Sequence, residues 1–146
     1  MPVKPGIVDA NVLVYAMDTD HPQHAASRAL LQAARERSTI LYVTSQILCE
    51  FYSIVTNSRR VPKPRSSADA LTAISGMLLF LRVLPSPARA VTALMELLRR
   101  HPVTGGEVFD LQIVATMHAN NIQRIYTFNA ADFEAFPELM VVVPSS

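Results

Sequence analysis

The chain has 146 residues, half of them hydrophobic and 17% charged, which is enough to bury a core and too apolar for a disordered segment. A formal net charge of +1 excludes a strongly basic, sequence-blind nucleic-acid binder, though not a local basic patch. Cys49 is the only cysteine, which excludes an internal disulfide and a thiolate metal cluster.

GIVDA predicts a buried strand over residues 6–9 that ends in an acid and feeds a turn or short helix through NVLVYAM. This apolar start could be misread as a signal peptide. Asp9 breaks the run and no small-residue cleavage site follows, so a cytoplasmic protein is expected. Asp20 and Pro22 mark a helix start, and HAASRALLQAARER predicts an amphipathic helix to about residue 36. LYV at 41–43 is a second strand, after which Thr44 or Ser45 can cap the helix SQILCEFYSIVTNSR. RRVPKPRSS is a proline-rich basic loop. SADALTAISGMLLFL is a helix with a weak point at Gly76, and its apolar end is too short to cross a membrane. RVL at 82–84 is a third strand. Ser86 and Pro87 open a helix through ALMELLRR, whose cationic end suits the helix dipole. VTGGE is a loop before a helix over GEVFDLQIVATMH, and RIYT (124–127) and VVV (141–143) are two more strands.

Short strands alternating with helices predict an α/β fold, a single domain over 1–146 with a parallel sheet covered on both faces. Chemistry in such folds collects at the carboxyl ends of the strands. Asp9 lies at one such end, and Asn129 and Asp132 lie just past another. Asp110 falls on the apolar stripe of its helix, in line with Ile113, Val114 and Met117. Glu50 falls at the edge of the face formed by Ile47, Phe51, Ile54 and Val55. None of these acids has Lys or Arg at helical i±3 or i±4 spacing. An unpaired carboxylate near a core is costly and calls for a cation or a set of donors. Mg²⁺ or Mn²⁺, which prefer carboxylate and water oxygens, would meet that need and could activate a water for phosphodiester cleavage.

Each acid also has an ordinary structural use. Asp9 can cap the helix after it, Glu50 can be solvated, and Asp110 can favour the helix dipole from the first turn. Asn129 and Asp132 fit a capping-box-like pair. Taken together, at strand ends and on apolar faces, they favour a metal site.

Four segments, IVDANVLVYA, SQILCEFYSIVT, FDLQIVATMHANNI and IYTFNAADF, resemble in order and spacing a PIN domain, and within it the small VapC-type ribonuclease toxins. The resemblance runs nearly the whole chain and rests on the ordered set. It implies a five-stranded parallel sheet between helices and an endoribonuclease that uses Mg²⁺ or Mn²⁺ held by acids from distant segments. Asp9, Glu50 and Asp110 match the three most regular acids, as metal ligands and catalytic residues. The fourth position falls on Asn129 or Asp132. A small antitoxin partner, an RNA substrate and homodimerisation are implied with it. A housekeeping PIN nuclease or a catalytically inactive PIN module fits the same segments.

The loop carrying Arg59, Arg60, Lys63 and Arg65 is the densest basic run, and suits either RNA phosphate contact or plain solvation. Thr44 and Ser45 have a hydroxyl that could support a metal-bound water or the substrate, with capping the commoner role. Phe51 and Tyr52 could stack on bases, although Phe51 reads as core. His21 and His24 read as surface, and Cys49 as a small core residue. A phosphoacceptor receiver domain is disfavoured because its late lysine is missing, the last lysine being Lys63. An Asp-nucleophile phosphatase is disfavoured because Asp9 is followed by Ala10 and Asn11 rather than by a second acid.

Overall fold

The run GIV is buried at every position in β1 (Gly6–Val8), as an unbroken apolar strand should be at the centre of a parallel sheet. The structure is a computed structural model and describes residues 2–146. Around β1 the chain builds α1 (Ala10–Ala16), α2 (His24–Arg35), β2 (Leu41–Val43), α3 (Ser45–Val55), α4 (Ser67–Met77) and β3 (Leu81–Val83). It continues through α5 (Ala88–Arg100), α6 (Val108–Ala119), β4 (Arg124–Tyr126) and β5 (Met140–Val142). The five strands form one sheet in the order β3-β2-β1-β4-β5, parallel at every pairing.

That order could not be read from the pattern of elements, but its consequence is simple. The chain leaves β1 toward β2 and β3, then returns across the sheet to β4 and β5. With right-handed crossovers, α1–α4 cover one face and α5 and α6 the other. The packing agrees: α1 contacts α2 and α3, α3 contacts α4, and α5 runs along α6. The direction of winding reverses between β1 and β4, which opens a crevice at their carboxyl ends.

Several boundaries differ from the sequence expectation. α3 stops at Val55 instead of running to Arg59, because Asn57 turns the chain and its carbonyl accepts the N–H groups of Arg60 and Val61. α4 stops one residue past Gly76, and the strand after it begins at Leu81 rather than Arg82. That shift puts Leu81 inside and leaves Val83 half exposed. β3 and β5 are the edge strands, each paired on one side, so little besides one apolar anchor fixes their ends. α6 is more buried than an amphipathic stripe implies. Leu111, Ile113, Val114, Ala115, Thr116, Met117 and Ala119 are all buried, because α6 sits between the sheet and α5.

Gly6 makes the close approach of β1 to β4 possible. A Cβ there would stand 2.9 Å from the Arg124 carbonyl oxygen and 3.0 Å from the Tyr126 ring. Backbone on one side and a packed ring on the other leave little room to yield. Gly6→Ala should therefore lower unfolding stability by about 1–3 kcal/mol, in the range of other overpacking changes. Denaturant melts would measure it, and an unchanged midpoint would show that the two central strands can separate without cost.

Candidate active site

Asp9 follows β1 directly and is only 7% exposed. It caps α1, its Oδ1 accepting the Ala10 N–H at 2.8 Å. Its Oδ2 accepts from the Thr127 hydroxyl at 2.8 Å and from Asn11 Nδ2 at 3.2 Å. Asn11 Nδ2 also donates to Thr127 Oγ1 at 3.1 Å, and its Oδ1 accepts the Phe128 N–H at 3.1 Å. Thr127 Oγ1 accepts the Asn129 N–H at 3.0 Å. The ends of β1 and β4 are thus tied together by one polar network, and the capping role of Asp9 coexists with its place at the crevice.

Glu50 reaches the same crevice from α3. Gln46, one turn earlier, donates from Nε2 to Glu50 Oε1 at 2.9 Å and to the Phe109 carbonyl at 2.8 Å. One side chain therefore holds the Glu50 carboxylate and docks α3 on the first turn of α6. Asp110, the residue after Phe109, stands in that turn, where α6 emerges from the core. Asp132 lies on the 3₁₀ turn Ala130–Phe133 after β4.

These four acids line one cleft of about 440 Å³, together with Asn11, Tyr15, Asp18, His21, Arg60 and Asn129. Their charges act on one another. Burial pushes the Asp9 carboxyl up, and the Asp132 charge adds to this, while the hydrogen bonds from Thr127, Ala10 and Asn11 oppose it. Burial also raises Glu50, with the Asp9 charge adding and the Gln46 bond opposing. Asp110 is pushed up to about 6, first by burial and then by the charges of Asp132, Asp9, Glu50 and Glu107. Among the described residues the ion pairs are Arg99–Glu96 and His118–Glu138, and neither involves these four acids. A set of like charges without a basic partner fits a divalent cation, and its all-oxygen donors suit Mg²⁺ or Mn²⁺. Among the described residues no three His, Cys, Asp or Glu side chains stand close enough together to hold a metal ion as they are placed.

The PIN domain family matches residues 6–139. The chain belongs to that family. It also falls among the VapC-type members. It is 32% identical over 117 residues to the VapC ribonuclease Mb2897 of Mycobacterium bovis, covering 78% of this chain and 79% of that one. In fold it is similar to a VapBC2 structure from Rickettsia felis, with a TM-score of 0.67, 20% identity and coverage of 96% and 98% of the two chains. It is likewise similar to VapC20 of Mycobacterium tuberculosis, a sarcin–ricin loop cleaving toxin, with a TM-score of 0.65, 18% identity and coverage of 89% and 94%.

Within this PIN domain the expected site residues divide into two groups. Asp9, Glu50, Asp110, Asn129 and Asp132 share the cleft, and Arg60 stands on its wall. Of the two candidates for the fourth position, Asp132 carries the charge felt by both Asp9 and Asp110, whereas Asn129 is a neutral neighbour. The capping pair imagined for them does not form, since Asn129 makes no side-chain cap bond. Thr44 is away from the cleft: it is buried, and its hydroxyl caps α3 by accepting the Ile47 N–H at 3.1 Å. Ser45 and Arg59 are exposed and do not line the cleft. Arg65 anchors its own loop, donating to the Met17 carbonyl at 3.2 Å. Phe51 is fully buried, and the Tyr52 hydroxyl bonds Ser67. Cys49 is exposed rather than in the core. Sequence reasoning missed Asn11, Thr127 and Gln46. Asn11 had a signal, a polar side chain in the first turn of an otherwise apolar helix. Gln46 had half of one, its i,i+4 spacing to Glu50, but its other partner lies 63 residues away, and Thr127 had none, its partner Asp9 lying 118 residues away.

The raised Asp110 pKa has a sign that can be tested. The unfolded chain protonates Asp110 near 3.8, the folded one near 6. Between those values the folded state binds the extra proton, so stability falls as pH rises through this window and stays lower above it. In EDTA, the protein should be more stable at about pH 5 than at about pH 7 on this account. Asp110→Asn should flatten that difference, leaving the part due to Asp9 and Glu50. At neutral pH it should be at least as stable as the parent. Denaturant midpoints at the two pH values decide it, and marked destabilisation of the variant in EDTA would instead make Asp110 a structural hydrogen-bonding residue.

Proposed function

We propose that this PIN domain is a metal-dependent endoribonuclease, the toxin of a toxin–antitoxin pair. The observation that carries the reading is the cleft at the β1–β4 crevice, where Asp9, Glu50, Asp110 and Asp132 meet and, among the described residues, none of them forms an ion pair. The VapC relatives, named as ribonucleases, support RNA as the substrate. The VapBC neighbour supports a small antitoxin protein as partner. Exposed Leu71, Leu79, Val91 and Met95 offer apolar surface for such an association or for a homodimer. Among the described residues no helix is long and apolar enough to cross a membrane, and a cytoplasmic site of action accords with RNA cleavage.

In this reading Asp9, Glu50 and Asp110 hold Mg²⁺ or Mn²⁺, and Asp132 rather than Asn129 is the fourth acid. The ion would supply stabilisation of charge on the phosphate and a bound water of lowered pKa. The chain's own contribution is positioning. Asp9 Oδ2 is occupied by two donors and Oδ1 by one, so Oδ1 retains a free lone pair at a fixed place. Gln46 likewise occupies one oxygen of Glu50 and leaves Oε2 available. Arg60, on the wall of the cleft, suits an RNA phosphate beside the cut.

Two measurements test this. Labelled RNA should be cut with Mg²⁺ or Mn²⁺ and not with EDTA, and Asp9→Asn should abolish cleavage while the protein stays folded. Glu50→Gln should act in the same direction, less severely. Added metal should stabilise the parent by about 2.7 kcal/mol at a hundredfold excess over the dissociation constant, and stabilise Asp9→Asn much less. Cleavage that persists in EDTA, or in folded Asp9→Asn, would remove the metal or Asp9 from the mechanism.

The basic loop gives a separate expectation. Arg60→Ala should weaken RNA binding and lower the slope of log K against log salt by about 0.7, one phosphate contact on a single strand. Arg59→Ala should change it less, since Arg59 does not line the cleft. Equal slopes for the parent and both variants would make the loop a solvated one.

A further inference from the structure

The cleft is negative where RNA must lie, so part of the affinity for RNA has to come from something other than phosphate attraction. Just beyond the acids the cleft wall carries an aromatic stack. The rings of Tyr15 and His21 lie face to face, with centroids 3.8 Å apart and planes inclined by 8°. Phe128 backs Tyr15 at 5.4 Å with a tilt of 52°. Tyr15 belongs to α1, the helix capped by Asp9, and Phe128 follows Thr127, so both supports are fixed by the network that holds the acids. The His21 ring is further set by its Nδ1, which accepts the Gln23 N–H at 3.0 Å. In the neutral ring this puts the proton on Nε2.

His21 and His24 were expected at the surface, apart from any site. Instead both are half-buried, and His24 Nδ1 meets the Tyr15 carbonyl at 2.9 Å, a second tie on the segment that carries the stack. His21 also has a particular place. It lines the acidic cleft with Asp9, Glu50 and Arg60, and it lines the adjoining cavity of about 360 Å³, whose charged side chains are Asp18, Asp20, Lys63 and Arg65. Val61 and Pro62 border both spaces. The ring therefore forms a ridge between the acids and a groove of mixed charge, in which Lys63 is a cation available to a phosphate.

We propose that His21, braced by Tyr15, is a stacking platform for an unpaired RNA base next to the cut phosphate. The proposal rests on the ribonuclease reading and adds to it a base subsite. A strand crossing the ridge places one phosphate at the acids, a base on the imidazole, and the following backbone beside Lys63. Stacking suits this position because it is available to every base and gains nothing from charge, so the acids do not weaken it. The half-buried Tyr15, packed between His21 and Phe128, braces the platform against tilting as a base docks.

The test is binding of a short single-stranded oligoribonucleotide carrying a fluorescent purine analogue, measured in EDTA with a gel to show that the RNA stays intact. Stacking on the parent should quench the analogue. His21→Ala should bind about tenfold more weakly, lose the quench, and keep the parent's salt slope. His21→Phe, which restores a flat ring without the Nε2 donor, should recover affinity and quench. Melting temperatures identify any variant that has lost its fold, and His21→Phe keeps the test open if His21→Ala has. Unchanged affinity and quench in folded His21→Ala would overturn the subsite while leaving the ribonuclease reading in place. A fall in salt slope with His21→Ala, or failure of His21→Phe to rescue, would overturn stacking in favour of a phosphate or hydrogen-bond contact. A parent that neither binds nor cuts RNA would remove the ribonuclease reading and the subsite together.

Discussion

The mutual repulsion of four carboxylates is the constraint around which this fold is arranged. Asp9, Glu50, Asp110 and Asp132 come from four segments of the chain and meet in one cleft. Water screens such charges poorly when one of them is 7% exposed and the others stand beside it. Left to themselves the segments would separate. They are held because each is anchored in something that cannot move cheaply: a central strand, two helices with buried faces, and a turn pinned by the fully buried Phe133.

The hydrogen bonds divide that task. Thr127 and Asn11 partly satisfy Asp9 and at the same time join β1 to β4, so loss of either would loosen a ladder as well as a carboxylate. Gln46 does the same between helices. Its amide spans Glu50 and the Phe109 carbonyl, and so links the two layers on either side of the sheet at the point where Asp110 stands. The burial of α6 on nearly all sides completes the clamp. A helix free on its outer face could shift to relieve Asp110, whereas one gripped by the sheet and α5 cannot.

What the sequence made legible follows from the same physics. Asp9 and Asp110 were conspicuous because each interrupts an apolar pattern, and a cost that is tolerated needs a reason. The fold class was legible because three-residue apolar strands between helices have few other solutions. The strand order was not, since nothing local to β1 says whether β2 or β4 will lie beside it. Asp132 and Asn129 could not be separated by spacing alone, because both follow β4 and only the three-dimensional arrangement places one charge among the others. Thr44 shows the opposite failure. A hydroxyl before a helix that carries an acid looked chemical, yet the capping role that most such residues have accounts for it fully. Cys49 was misplaced for a simpler reason: one residue from Leu48 and two from Phe51, it lies a helical step off the buried face. His21 escaped because a stack between rings six residues apart depends on the turn after α1, which no periodicity reports.

On the proposed reading the site sets a competition between protons and a cation. Raised carboxyl pKa values mean that, in the absence of a cation, the folded protein relieves its repulsion by taking up protons. A divalent ion would relieve the same repulsion and would compete with those protons, which would link its affinity to pH. The two are not equivalent. A proton neutralises one oxygen pair and leaves the remaining acids facing each other. A single dication placed among them attracts all four at once, and needs no change in the hydrogen bonds that already fix Asp9 and Glu50. On the proposed reading the arrangement would favour the cation through geometry as well as charge, because the free lone pair of Asp9 Oδ1 and the donor-free Oε2 of Glu50 belong to carboxylates that hydrogen bonds already pin. Movement of any one acid away from the cleft would ease the repulsion and forfeit that advantage, which is why the restraint of these residues and their chemistry are a single property of the fold.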